Sequence, residues 1–136
     1  MTVDPRTGLV SLSDDECWQL LRSHELGRLA VAADGRPDIF PVNYAVDGSD
    51  IVIRTAAGFK LAAAVLGPGV AFEIDGYDEE RRAGWSVVVH GPAAEIEQTE
   101  ELLRAEELKL EPWAEGDKPR YLRITATEVT GRRTPR

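Results

Sequence analysis

Hydrophobic and polar residues alternate over several short stretches of the chain, which is the spacing of strands that bury one face. Asp34-Gly35 and Asp47-Gly48 separate the first of these stretches, and such pairs are typical of tight turns between antiparallel strands. The predicted strands are one around Leu29 and Val31, then Ile39–Val46, Asp50–Thr55, Val70–Asp75, Trp85–Glu97 and Arg120–Arg132. Pro41 should place the second strand at an edge or a bulge, and Gly91-Pro92 should bend the fifth.

Three other segments have helical spacing. The first follows Ser13, which stands three residues before Glu16 as in a capping box, and Gly27 is placed to end this helix. The second is AAGFKLAAAVLG and the third is TEELLRAEEL. About six antiparallel strands with small helices at the corners predict a mainly β fold, a small closed or half-closed barrel.

Size and charge narrow the class of protein. With 136 residues, 43% of them hydrophobic, the chain is expected to form one domain over residues 1–136, with residues 1–8 and 133–136 flexible. A net charge of −8 argues against nucleic acid as a partner. The single cysteine, and the lack of a signal-like or membrane-length apolar run, predict a cytoplasmic protein that does not use a membrane. No metal-ligand or catalytic-triad motif occurs, so no metal site is expected and the catalytic residues stay unknown.

The stretch IVIRTAAGFK carries the first candidate chemistry. Arg54 and Thr55 end a strand, and Lys60 follows a turn that contains Gly58 and opens a helix. A helix start offers free backbone N–H groups, and arginine and lysine add positive charge, so this corner could hold a monophosphate. The alternative is that both cations are ordinary solvated surface charges.

A second group of candidates has the side chains that surround a planar heteroaromatic ring. Pro41, Val42, Asn43 and Tyr44 lie in the second strand, where Val42 and Tyr44 should face one side and Asn43 the other. Trp85 and Ser86 begin the fifth strand, and Trp113 lies in a polar loop. Such residues supply stacking faces and polar groups for a ring edge, although a loop tryptophan is equally often a packing anchor.

Taken in order, these segments resemble a known family. The residues that carry the resemblance, between Ser13 and Arg132, are GRLAV, DIFPVNYAVDG, IVIRTAAGFKL, VAFEID, GWSVVVHG, PWAEG and RYLRITATEVTGR. The chain is similar to the pyridoxamine 5′-phosphate oxidase-like, FMN-binding split-barrel family, and most similar to its short actinobacterial members. The resemblance implies a six-stranded antiparallel split β-barrel that forms a homodimer with two flavin sites in the interface.

The resemblance also implies roles for single residues. Arg54, Thr55 and Lys60 would hold the phosphate of FMN. The strand residues Pro41, Val42, Asn43 and Tyr44 would line the isoalloxazine ring, and Trp85 and Ser86 would lie near the ring or the ribityl chain. Trp113, and more weakly Arg132, would come from the partner subunit.

Some functional alternatives stay open at this point. The chain ends at GRRTPR without the Arg- and His-bearing segment that grips the vitamin phosphate in true pyridoxamine phosphate oxidases. Related deazaflavin-dependent reductases share the barrel and the phosphate corner, so the cofactor is FMN or a deazaflavin coenzyme. The first hypothesis is an oxidoreductase acting on an unknown small molecule. The others are a non-catalytic carrier or sensor of flavin, deazaflavin or haem, and a structural protein with a degenerate site.

Overall fold

The computed structural model describes residues 2–114 and 116–135, and all of their side chains except those of residues 59 and 60. Within this part of the chain there are three helices: α1 (Asp14–Arg22), α2 (Phe59–Leu66) and α3 (Thr99–Glu107). The strands are β1 (Val10–Ser11), β2 (Leu26–Ala33), β3 (Arg36–Asp47), β4 (Asp50–Thr55), β5 (Val70–Asp78), β6 (Ala83–Gly91), β7 (Ala93–Glu95), β8 (Arg120–Thr125) and β9 (Glu128–Arg133). No helix in the described part of the chain is long and apolar enough to cross a membrane.

All strand pairs are antiparallel, and the strands form one sheet in the order β1-β9-β6-β5-β2-β3-β4-β8-β7. The predicted mainly β, antiparallel fold is therefore confirmed. The fifth predicted strand is split into β6 and β7 at Pro92, as its bend required, and the last is split into β8 and β9 at Ala126-Thr127. The domain boundaries and the flexible ends stay predictions.

The expected closure of the barrel is not found among the described residues, because β1 and β7 stand at the two ends of the pairing order. The two bends are instead joined by isolated backbone bonds, from the Thr125 N–H to the Pro92 carbonyl at 3.0 Å and from the Thr127 N–H to the His90 carbonyl at 2.9 Å. Proline has no N–H, so the ladder cannot run unbroken through this corner.

The inward face of the sheet holds the main core. Its largest fully buried side chains include Phe72, Leu29, Ile53 and Ile124. Helix α1 packs against this inward face through Cys17 and Leu21, which are fully buried. Both bonds of the predicted capping box are present at the start of α1, between Ser13 and Glu16.

Gly27 corrects one expectation about α1. The helix ends with Ser23 as its C-cap, and Gly27 lies within β2. A Cβ at position 27 would collide with the ring of Phe72. The glycine is therefore required by close packing between β2 and β5 rather than by a helix end.

The outward face of the sheet has two halves. The covered half, on β4, β7, β8 and the end of β3, lies under α3 and a smaller core of Val52, Ile96, Ala105, Leu110 and Tyr121. The open half carries the outward residues of β2, β5, β6, β9 and the first part of β3, and no element of the described chain lies over it as α3 lies over the covered half. Ile39 on this open half is 69% exposed.

Candidate functional site

The sequence-predicted site residues fall on both faces of the sheet. Val42, Tyr44, Thr55 and Trp85 lie on the inward side, while Pro41, Asn43, Arg54, Ser86 and Arg132 lie on the outward side. Trp113 stands in the loop between α3 and β8, and the side chain of Lys60 lies outside the described residues. The roles of all these residues in cofactor binding stay predictions, and their placement separates three groups.

The first group is the corner after β4. Arg54 is partly buried. Its Nε donates to the Lys118 carbonyl at 2.8 Å, and its Nη1 donates to the Leu110 carbonyl at 3.4 Å. Its guanidinium carbon stands 5.6 Å from the centre of the Tyr121 ring. Thr55 is 3% exposed, and its hydroxyl donates to the Ala56 carbonyl at 3.3 Å.

Helix α2 begins at this corner with an open N-terminus. Its N-cap is Gly58, which has φ +155° and makes no side-chain capping bond. A Cβ at this position would meet nothing within 4 Å, so a ligand atom could approach the backbone closely. The first turn of α2 carries no acidic residue, and its second residue is Lys60. An open helix start four residues after an arginine is a combination that suits a phosphate or another anion. The Thr55 hydroxyl is turned towards its own backbone.

The second group joins Asn43 to Trp113. The Trp113 N–H donates to Asn43 Oδ1 at 2.7 Å, and its indole Nε1 donates to Glu25 Oε1 at 3.0 Å. Asn43 Nδ2 in turn donates to the Glu25 carbonyl at 3.1 Å. Trp113 is nevertheless 62% exposed, so much of the residue is accessible for contact with another molecule. Its bonds are made within its own chain, and its reach into a partner subunit stays a prediction.

Two hollows flank Trp113. One of about 530 Å³ lies between the end of α1 and the open half, and Arg28 and Asp75 are among its lining residues. The other, of about 330 Å³, lies on the side of Leu110 and Asn43. Both volumes fall within the range of small-molecule pockets in proteins.

The third group is a row across the outward face. Strand register places Asn43 opposite Leu26, Asp75 opposite Ser86, and Ser86 opposite Arg132. A hollow of about 320 Å³ lies where Ser86 and Arg132 meet. This row brings three of the predicted ligands onto one side of the sheet although they come from distant parts of the sequence.

Trp85 lies on the other side of β6 from Ser86. Its ring centroid is 5.0 Å from that of His24, and Gly76 leaves room for it, because a Cβ there would stand 2.6 Å from the indole Nε1. A hollow of about 550 Å³ opens beside it, between α1 and the β5–β6 hairpin, and is lined by Tyr77 and Arg133 among others. Trp85 lines both this hollow and the one at Ser86 and Arg132, while Ser86 lines only the latter of the two.

The core side chains of β3 take a different part. Tyr44 is 2% exposed, and its hydroxyl donates to the Leu21 carbonyl at 2.6 Å. Burial raises the pKa of this phenol. Val42 is 5% exposed. Both residues hold β3 against the core beneath Asn43, and the sequence-based expectation that they face away from Asn43 is confirmed.

Sequence reasoning missed Glu73, which lies at the centre of the open half. One of its carboxylate oxygens is buried and accepts no hydrogen bond among the described residues. Burial, followed by the neighbouring Asp75 carboxylate, raises the pKa of Glu73 to about 7, and Arg28 at 3.8 Å offsets only part of this. The signal in the sequence was a carboxylate at an alternate position of the otherwise apolar stretch VAFEID.

Comparison with known proteins gives this geometry a context. The sequence profile described as pyridoxamine 5′-phosphate oxidase matches residues 13–133. An uncharacterised protein of Mycobacterium tuberculosis is 37% identical over 128 residues, which are 90% of this chain and 84% of that protein.

Solved structures agree with this match. A structure described as the FAD binding protein from Mycobacterium smegmatis is 38% identical, covers 92% of this chain and 98% of its own, and superimposes with a TM-score of 0.78. A FAD-binding protein from Mesorhizobium loti is 27% identical, covers 93% of this chain and 98% of its own, and has a TM-score of 0.80.

Proposed function

The chain belongs to the pyridoxamine 5′-phosphate oxidase family, and on that premise we propose that it is a homodimeric, flavin-binding oxidoreductase that acts on a small molecule in the cytoplasm. The observation that carries the proposal is the likeness, over nearly the whole of both chains, to a mycobacterial protein described as FAD-binding. Further support comes from the corner after β4, whose charge and open helix start suit the phosphate of a flavin nucleotide.

The residues around this corner have separate tasks in the proposal. Arg54 and the first backbone N–H groups of α2 would hold the phosphate, with Lys60 adding charge and Thr55 closing the strand end. Asn43, on the outward face beside this corner, would contact the polar edge of the ring. A bound flavin supplies the hydride and electron transfer, so the chain itself needs only to bind, orient and shield the ring.

The open half of the outward face supports a second copy of the chain as the partner. It exposes Ile39, Pro41 and Leu26 next to the small side chains of Ala30 and Ala71. Exposed apolar side chains of this kind on one subunit can pack against the same side chains on another, because a two-fold axis makes the contact self-complementary. The row that ends at Ser86 and Arg132 would then be shared between subunits, which would complete the flavin site.

The experiment that tests the proposal is a titration of the purified protein with FMN, FAD, riboflavin and the deazaflavin coenzyme, followed by flavin fluorescence. We expect FMN or FAD to bind at micromolar concentration or below, and riboflavin, which has no phosphate, to bind at least about tenfold more weakly. Arg54→Gln should remove this difference, and Arg120→Gln should keep it, because Arg120 is paired with Glu95 instead. Binding of none of the four compounds would refute the proposal.

The same titration separates the alternatives. A clear preference for the deazaflavin coenzyme would make the chain a deazaflavin-dependent reductase. Tight flavin binding without faster reoxidation of the reduced flavin by a quinone or nitro compound would favour a carrier or sensor protein. Haem binding in place of flavin would move the chain to a haem carrier.

A further inference from the structure

The loop between α3 and β8, residues 108–119, is held to the sheet by one arginine at two places. We call it the Trp113 loop. Arg54 donates to the Leu110 carbonyl near the start of the loop and to the Lys118 carbonyl near its end. These two carbonyls are eight positions apart in the sequence, so a single guanidinium group spans the loop.

Arg54 is well suited to this task. Its fork is planar, and contact with the Tyr121 ring on the neighbouring strand fixes the plane. Hydrogen bonds from a charged donor are stronger than those between neutral groups, and partial burial keeps water from replacing them. The Leu110 side chain is also buried, at 6% exposure, so Arg54 adds to an apolar anchor at that end of the loop.

Asn43 holds the middle of the same loop. It accepts the backbone N–H of Trp113 at 2.7 Å, while the Trp113 indole reaches Glu25. Two residues that the sequence puts forward as cofactor ligands, Arg54 and Asn43, thus both bind the segment that carries the third, Trp113. This connection joins parts of the chain that are 56 to 70 residues apart.

We propose that Arg54 is a positioning residue that fastens both ends of the Trp113 loop and so sets where Trp113 stands beside the 530 Å³ hollow. Among the described residues, the two carbonyl bonds use two of the five N–H groups of the guanidinium, and the others can donate to an anion. Arg54 therefore orders the loop before any ligand arrives, and the loop defines how wide the hollow is for a substrate. The inference rests on the proposed function only where the hollow is assigned to a substrate.

Tryptic cleavage after Lys109 tests the fastening in the protein without ligand. Lys109 directly precedes Leu110, and the loop's other lysine, Lys118, precedes a proline that blocks trypsin. Loss of two charge-assisted bonds in Arg54→Gln should speed cleavage after Lys109 by on the order of tenfold or more. Arg120→Gln is the matched control, since it removes a surface arginine directly after the loop and should leave the rate unchanged.

A second pair of variants separates positioning from general loosening. In a background of Trp18→Phe and Trp85→Phe, Trp113 is the remaining tryptophan, and its emission reports on its surroundings. Arg54→Gln should change both the emission and the cleavage after Lys109. Asn43→Ala should change the emission alone, because it frees the Trp113 amide and leaves both Arg54 bonds. Arg54→Lys, which keeps the charge without the fork, should give an intermediate cleavage rate.

Equal cleavage rates after Lys109 in Arg54→Gln and Arg120→Gln would overturn the proposal. Cleavage that rises equally at sites outside the loop in both Arg54 variants would also overturn it, since Arg54 would then support the whole fold. Neither measurement uses a flavin, so a failure of flavin binding leaves the inference standing. Likewise, an unchanged cleavage rate in Arg54→Gln would not decide whether the protein binds flavin, which the titration tests separately.

Discussion

The two halves of the outward face use the same kinds of charged residue in opposite ways. On the covered half, Asp47 has a side chain 8% exposed and bonds to Arg104 and Arg123 at 2.8 Å each. On the open half, Arg28 Nη1 lies 3.8 Å from Glu73 Oε1 and 3.7 Å from Asp75 Oδ2. Among the described residues, the first network pairs Asp47 with two arginines, while the second leaves one buried oxygen of Glu73 without a hydrogen bond.

The electrostatic consequences follow from this difference. Burial alone would raise the pKa of Asp47, but the two guanidinium groups more than offset it and hold that pKa below its usual value. Burial raises the pKa of Glu73 most, the Asp75 carboxylate beside it adds to the rise, and the one arginine at longer range offsets only part of it. Short bonds to two arginines stabilise the charged form of a carboxylate. A carboxylate that is buried beside a second carboxylate is instead stabilised in its protonated form. This difference supports the proposal that a second subunit covers the open half.

The largest expected effect is a loss of stability when the charge network of the covered half is disrupted. Asp47→Ala should lower the free energy of unfolding by about 3 kcal/mol, because it leaves Arg123 partly buried with only Asp50 as its acid partner. Asp75→Ala, the matched change on the open half, should cost less than about 1 kcal/mol. Urea unfolding at one fixed protein concentration measures both. Similar losses for the two variants would remove the contrast between the halves.

The second effect concerns the partner of the open half. Ile39→Arg should weaken self-association by roughly a hundredfold, since a charge replaces an apolar side chain that a second copy would bury. Leu103→Arg is the control, because Leu103 is 56% exposed on α3, which covers the other half. Sedimentation velocity over a range of concentrations gives the association constants. A protein that is monomeric before mutation, or a Leu103→Arg variant equally impaired, would contradict the assignment of the interface.

Local sequence signals predicted much of the fold. The capping box at Ser13 and the strand Asp50–Thr55 were predicted residue for residue, because hydrogen bonds and alternation within a few positions decide them. Gly27 was misread because a glycine serves both helix ends and close contacts. Only the position of Phe72, 45 residues later, tells the two apart. The prediction of a closed barrel was wrong for a similar reason. Closure depends on how the bends at Pro92 and at Ala126-Thr127 meet in space, which no local pattern shows.

The candidate site shows the same limit more clearly. Alternation was enough to predict that Val42 and Tyr44 face away from Asn43. It could not predict that Arg54 would bond to Leu110 and Lys118, because those partners are brought near by α3 and its loop. The raised pKa of Glu73 likewise depends on two neighbours that the sheet supplies.

The smallest expected effect sharpens the comparison through pH. The pKa of Glu73 is raised from its usual value to about 7, so the protonated form is favoured in the folded chain. Its contribution to stability is therefore fully present below about pH 4.5 and is lost as the pH rises through about 7. Because the side chain is 31% exposed, the loss should be roughly 1 to 2 kcal/mol.

Glu73→Gln, which stays neutral, should flatten this part of the curve of unfolding free energy against pH. Asp47→Asn should not flatten it, because a lowered pKa acts below pH 4, where the carboxylate of Asp47 takes up its proton. Urea unfolding between pH 4.5 and 8 gives both curves. A wild-type curve that is flat over this range, or a slope that survives in Glu73→Gln, would show that the open half already satisfies its carboxylates. The covered and open halves would then differ only in how much apolar surface they expose.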